Sequence, residues 1–213
     1  MIILAHKKQY YSEERHVNDK RFIIEGPVDH ARLSTYQFDE ALDAFRLPDE
    51  QFEALIEIAA LPEGRIIIAR DGDTIVGYIT YVHPDPYERW SDGNLPYILE
   101  LGAVEVADDY RRYGLASHML QLSFKDDYME DYIVITTEYY WHWDLKNTNL
   151  DVYEYKDMMI RFMQQVGFEV YQTNDPEITS HPANTLMARV GSRIDDTQRI
   201  AFDKIRFKNR FFF

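Results

Sequence analysis

A strand that passes through a short acidic turn straight into a helix constrains this chain most. It lies at Leu99–Leu120, LELGAVEVADDYRRYGLASHML. The apolar pattern predicts a strand from Ile98 to Val106 and a helix from Leu115 to Met129, with Leu115, Ala116, Met119, Leu120 and Ser123 on one face. A helix N-terminus leaves backbone N–H groups without intrahelical partners, and the helix dipole adds partial positive charge there. With Arg111 and Arg112 alongside, this turn suits a bound anion.

Composition narrows what could use such a turn. At 213 residues and 46% apolar content, one domain with a sizeable core is expected over 1–213, with 1–20 peripheral and 192–213 appended. A formal net charge of −14 argues against nucleic acid as a partner, which calls for a basic face. It argues equally against polybasic docking on a membrane. The absence of cysteine excludes disulfides, thiolate nucleophiles and cysteine metal sites. It fits a cytoplasmic protein, which is the expected location. The start, MIILAHKKQYYSEER, is too poor in apolar residues for a signal h-region. No apolar run approaches the roughly 20 residues that a membrane-spanning helix needs.

The rest of the chain alternates strands and helices. Phe22–Glu25 reads as a strand stopped by Gly26-Pro27, and Ser34–Phe45 as a helix with Phe38, Leu42 and Phe45 in helical spacing. A second helix is expected from Pro48 to Ala60, with Phe52, Leu55, Ile56 and Ala59 on one face. Arg65–Arg70 and Thr74–Val82 form a hairpin around Asp71-Gly72-Asp73. The proline- and aromatic-rich stretch 83–96 is expected to be ordered but irregular. Strands at Tyr132–Thr137, Phe168–Tyr171 and Thr185–Val190 flank a helix at Val152–Val166 that ends at Gly167. The aromatic tail RFKNRFFF is expected to pack on the body. The order predicts an α/β (α+β) fold, a sheet with helices on its faces.

Three phosphate loops compete for the turn. A nucleotide P-loop needs Lys-Ser/Thr after its glycines, and a dinucleotide loop needs Gly-x-Gly-x-x-Gly; both are absent. The remaining pattern is Arg/Gln-x-x-Gly-x-Gly/Ala, met by Arg111-Arg112-Tyr113-Gly114-Leu115-Ala116, with Val106 and Tyr110 at supporting positions. On these residues the chain resembles the GCN5-related N-acetyltransferases (GNAT). Gly114 and Ala116 would let the backbone approach phosphates closely. Asp108 departs from the proline often found there, and an acidic group so near a phosphate loop is expected to point to solvent. Further segments are similar to bacterial members of this family that acetylate a metabolic enzyme: LPEGRIIIARDG, TIVGYITY, PDPYERW, ELGAVEV, TTEYYWHWDLK, SHPAN and LMARVG.

The resemblance implies a mixed, mostly antiparallel sheet with helices on both faces, splayed between the fourth and fifth strands of the family fold. It implies acetyl-CoA (coenzyme A) as donor, held by Arg111, Arg112, Tyr113, Gly114, Leu115, Ala116 and Ser117. The main chain of Val104, Glu105 and Val106 would pair with the pantetheine and polarise the thioester. The acceptor implied is an active-site lysine of acetyl-CoA synthetase, which acetylation shuts off. Other readings stay open: acetylation of a small amine, or binding of acyl-CoA or a partner without turnover.

A lysine ammonium, with a pKa near about 10.4, must lose a proton before it attacks a thioester. Glu100 and Glu105 are the candidate bases. Each has a second reading: Glu100 as a hydrogen-bonding or surface group, and Glu105 paired with an arginine. Strict alternation puts them on opposite faces, and a bulge would change that. Where the family often carries a tyrosine as general acid, this chain has Met163, which leaves Tyr139, Tyr140, Tyr153 and Tyr155 as substitutes. The block Tyr139, Tyr140, Trp141, His142 and Trp143 reads either as a partner surface or as a cap on the core. His142 and His181 lack the spacing of a metal pair, so no metal is expected.

Overall fold

A computed structural model describes residues 5–208; the expectations for 1–4 and for the tail residues 209–213 lie outside them. The chain divides into two compact units, one running to His83 and resuming at Glu100–Met129, the other formed by Pro84–Leu99 and the residues from Glu130 onward.

The first unit opens with a hairpin of β1 (Tyr11–Val17) and β2 (Lys20–Gly26), so the peripheral N-terminal stretch does end in an edge strand. Its two-residue turn, Asn18-Asp19, has both φ angles positive (49° and 64°), the geometry that matches strand twist. After α1 (His30–Leu33), β3 (Gln37–Phe38) and α2 (Pro48–Ala60) come β4 (Arg65–Asp71), β5 (Thr74–Val82) and β6 (Ile98–Val106). Antiparallel pairing runs β1–β2–β4–β5–β6, and β3 adds a parallel pair with β5, which makes the sheet mixed. One face carries α1 and α2 over Leu33, Leu55, Ile66, Ile68 and Tyr78. The other meets Met119 of α3 (Leu115–Ser123), which lies so close to Gly77 that a Cβ there would stand 3.1 Å from its methyl.

Two expectations fail in this unit. The helix at Ser34–Phe45 does not exist. Asp29 caps the short α1 upstream, and Gln37 and Asp39 give their N–H groups to the Asp73 and Ile75 carbonyls of the β4–β5 turn region. Phe38 stacks on Phe52 at 5.1 Å and Leu42 is buried, but Phe45 is 50% exposed. The helical spacing was produced by unrelated contacts. The helix after the turn ends at Ser123 rather than Met129, and a 3-10 turn occupies Asp127–Asp131. There Asp126, 2% exposed, turns its carboxylate to the Arg65 guanidinium (3.6 Å) and accepts the Gln9 N–H (3.1 Å).

One buried carboxylate of this unit is compensated by two cations and two phenols. Glu25, fully buried, accepts hydrogen bonds from Tyr10, Tyr36 (2.8 Å), Arg32 (2.7 Å) and Arg70 (2.7 Å). Burial pushes its pKa up, but the Tyr10, Arg70 and Tyr36 hydrogen bonds outweigh burial and hold it below the ordinary range.

The second unit holds β7 (Ile133–Glu138), α4 (Leu145–Thr148), α5 (Val152–Gln164), β8 (Glu169–Tyr171), α6 (Pro176–Thr179), β9 (Thr185–Val190) and α7 (Asp196–Arg206). β9 is the central strand, paired antiparallel with β7 and β8. Trp90, Ile133, Ile135, Leu186 and Phe202 fill the core. Stretch 83–96 is ordered, as expected: Arg89 meets Asp175 at 3.1 Å and Trp90 is 3% exposed. α7 was not expected, because its polar sequence carries few apolar residues; Phe202 and Ile205 are the ones it buries. Its capping box was legible, since the Asp195 carboxylate accepts the Gln198 N–H (2.8 Å) and the Gln198 side chain accepts the Asp195 N–H (2.9 Å). The described start of the tail packs on this unit, with the Arg206 guanidinium 4.9 Å over the Tyr171 ring.

Candidate active site

The Arg111–Ala116 turn begins as a 3-10 turn, Asp108–Tyr113, and enters α3 through Gly114. Gly114 has φ 68° and ψ 19°, the left-handed conformation that a side chain disfavours. Nothing lies within 4 Å of where its Cβ would be, and no side chain caps the first turn of α3. No side chain of this unit thus competes for the N–H groups of that first turn through a cap. Ala116 and Ser117 are half-buried in the same turn, and Leu115 packs into the core.

The arginines are exposed. Arg111 pairs with Asp108 at 2.8 Å and reaches the Val106 carbonyl at 3.4 Å; Arg112 lies 5.3 Å over the Tyr113 ring. Asp108 is exposed as expected, yet it also neutralises Arg111, which must leave it or share it to meet an anion. Tyr113 is buried against Phe22 (5.1 Å), so only its main chain is available to a ligand. An uncapped helix start, an open glycine and two exposed guanidinium groups fit a pyrophosphate.

β6 carries both candidate carboxylates. Val106, Glu105, Val104 and Ala103 pair with Gly77, Tyr78, Ile79 and Thr80; the register then shifts, and Leu101 and Glu100 face Tyr81 and Val82. Gly102 is the extra residue, a bulge. Tyr78 and Val82 are four residues apart on β5 and share a face, so Glu105 and Glu100 share it too. Without the bulge they would lie on opposite faces.

Their environments differ sharply. Glu105 is 6% exposed; one carboxylate oxygen accepts the Tyr78 hydroxyl and the other accepts the Ala44 N–H at 2.8 Å. Burial, followed by the Glu105 bond and charge, raises the Tyr78 pKa far above its ordinary value. Glu105 thereby ties the 39–47 segment to the strand. Glu100 is half-buried.

The second unit carries the aromatic block. Tyr140–His142 form a 3-10 turn after β7. Tyr139 stacks on Trp141 at 4.8 Å, Tyr140 packs on His181 at 4.2 Å, and Trp143 stacks on Tyr155 at 4.9 Å. Trp141 is 50% exposed and His142 is exposed, while Tyr139, Tyr140 and Trp143 are half-buried. The block is thus both partly packed and partly presented. His181 accepts the Ala183 N–H at 3.1 Å, a structural use of its ring. Among the proposed acids, Tyr153 is 53% exposed. Burial first, then the charges of Asp175 and Glu177, hold the Tyr139 phenol protonated well above its ordinary range. Met163 is fully buried core.

Sequence reasoning passed over Glu138, although it stands inside the quoted block. At the end of β7 its carboxylate accepts the Trp143 indole N–H (3.3 Å) and the Thr136 hydroxyl (3.2 Å). Burial pushes its pKa up, and those two hydrogen bonds only partly offset the shift. The signal available was a carboxylate on an apolar strand directly before the aromatic run.

Residues 32–168 match the family described as "Acetyltransferase (GNAT) family". Two relatives, each named "Acetoin utilization protein AcuA", come from Bacillus licheniformis and Bacillus subtilis. Each is 51% identical over 210 residues, covering 99% of this chain and all of the relative. The crystal structure of an acetoin utilization protein from Exiguobacterium sibiricum superposes with a TM-score of 0.92 at 50% identity, covering 96% of this chain and 97% of that one.

Proposed function

We propose that the chain, which belongs to the GNAT acetyltransferase family and is an acetyl-CoA-dependent N-acetyltransferase, acetylates a protein lysine. The acceptor we assign is acetyl-CoA synthetase, inactivated by the modification within acetoin and acetate metabolism. The observation that carries the reading is the uncapped start of α3, entered through left-handed Gly114 beside Arg111 and Arg112. The half-exposed Trp141 and exposed His142 support a protein acceptor, because aromatic anchors of this kind dominate binding energy at interfaces. Relatives named for acetoin utilization support the metabolic setting.

In this reading the N–H groups from Gly114 to Ser117 and the two guanidinium groups hold the pyrophosphate. The main chain of Val104 and Val106 orients the pantetheine. Glu100 takes the proton of the lysine ammonium, directly or through water. Glu105 serves by position, since both of its oxygens are already engaged by Tyr78 and Ala44.

Labelled acetyl-CoA incubated with this protein and purified synthetase tests the proposal. Label on one synthetase lysine is the expected result. Label on small amines alone, or coenzyme A binding without transfer, overturns the acceptor assignment. Glu100→Gln should lower transfer most strongly at the acid end of the pH–rate profile; an unaltered profile removes Glu100 as base.

A further inference from the structure

We propose that His6, Glu63 and His83 form a binding site for a zinc-class divalent metal ion that fastens the N-terminal segment to the first unit. The three residues come from three separate places: the N-terminal segment, the loop after α2, and the position that follows β5. One ligand atom of each lies within 4.8 Å of the other two, and all three residues are partly buried. The imidazole rings meet edge to face, 5.4 Å apart at 72°.

The backbone of two of the three ligand-bearing segments is set in advance by a single buried arginine. Arg65, 1% exposed, donates to the Lys7 carbonyl (2.6 Å) and to the Glu63 carbonyl (3.2 Å), so one guanidinium fixes both ligand-bearing segments. The Lys8 ammonium adds a third tie, to the Leu61 carbonyl at 2.8 Å. Preset ligands avoid most of the ordering cost of metal binding.

Donor chemistry selects the ion. Two imidazoles and one carboxylate suit zinc and its neighbours in the transition series, whereas calcium and magnesium call for a shell of oxygen ligands. The charges of Arg65 and Lys8 act on His6 and oppose ions held by charge alone, which favours a metal that bonds to imidazole nitrogen. With zinc bonds of about 2.0–2.1 Å, tetrahedral ligands stand about 3.4 Å apart, which small side-chain rotations reach from the observed spacing. Three protein ligands leave a fourth position to water.

Zinc titrated into the full chain by calorimetry provides the test, with magnesium as control. One equivalent should bind, and zinc should raise the thermal midpoint and protect the Lys7–Lys8 region from trypsin. His6→Ala and His83→Asn, each checked for an intact fold by circular dichroism, should each lose at least tenfold in zinc affinity together with the trypsin protection. Absence of saturable zinc uptake by the parent chain, or a loss below tenfold in either folded variant, overturns the site.

Discussion

Gly114 does two jobs with one missing side chain. At φ 68° any β-branched residue would be strained by about 1–2 kcal/mol. The open space at its Cβ position is also where a phosphate would approach the first turn of α3. Gly114→Val should therefore cost about 1–2 kcal/mol of stability, read from the urea midpoint, and lower acetyl-CoA affinity of the folded protein at least tenfold by calorimetry; unchanged affinity would remove the loop assignment. Glu138 poses the opposite problem, a carboxylate that burial disfavours when charged. Its pKa is higher folded than unfolded, so its cost to the fold is absent in acid and develops as pH rises above the ordinary value of 4.5. Glu138→Gln keeps an acceptor for the Trp143 indole and removes the charge. At pH 8 it should raise the thermal midpoint by about 2–4 °C, the shift about 1 kcal/mol gives at this chain length, and near pH 4 the gain should vanish.

At the scale of elements, β6 shows how one extra residue redirects chemistry. The spacing of Glu100 and Glu105 was plain in the sequence, but their common face was not, because the bulge at Gly102 is a matter of pairing register with β5. Glu105 also illustrates how a candidate base can be engaged by structure. Its oxygens hold the Tyr78 hydroxyl and the Ala44 N–H, and so anchor the 39–47 segment. Glu105→Ala should destabilise the protein by about 1–3 kcal/mol for each donor left unpaired, read from the urea midpoint. Glu105→Gln, which still offers an acceptor, should retain most transfer activity; inactivity equal to that of Glu100→Gln would return Glu105 to the catalytic role. The failed helix at Ser34–Phe45 belongs to the same scale. Periodicity reports which residues are apolar, not which neighbour buries them, and here Phe38 was claimed by Phe52 and the edge of β5.

For the whole molecule, charge is the property that reaches furthest. With a net charge of −14, attraction to the proposed protein acceptor would be long-range at low salt if its lysine sits in a basic surface, and would be screened beyond a Debye length of about 10 Å at 0.1 M. Transfer to a protein acceptor should fall as sodium chloride rises from 0.02 to about 0.3 M, through kcat/KM rather than kcat. Transfer to a neutral small amine should not. A rate to the protein acceptor that is flat in salt would rule out steering. Among the described residues no helix is long and apolar enough to cross a membrane.

Much of this protein is written locally. The strand–turn–helix of Leu99–Leu120, the Pro48–Ala60 helix, the Asp71–Asp73 hairpin and the Arg111–Ala116 motif each depend on residues close in sequence, so spacing and turn chemistry sufficed to read them. The family followed from the same stretch. What spacing could not carry is whatever depends on distant residues meeting. The bulge that aligns Glu100 with Glu105, the desolvation of Glu138, the hold of Tyr78 and Ala44 on Glu105, and the meeting of His6, Glu63 and His83 are all of this kind. Local geometry is set by backbone sterics and period, but register, burial and convergence are set by packing across the fold. The turn proposed to hold the donor could be read from the chain, whereas the surroundings of Glu100, Glu105 and Glu138 were decided by tertiary contacts.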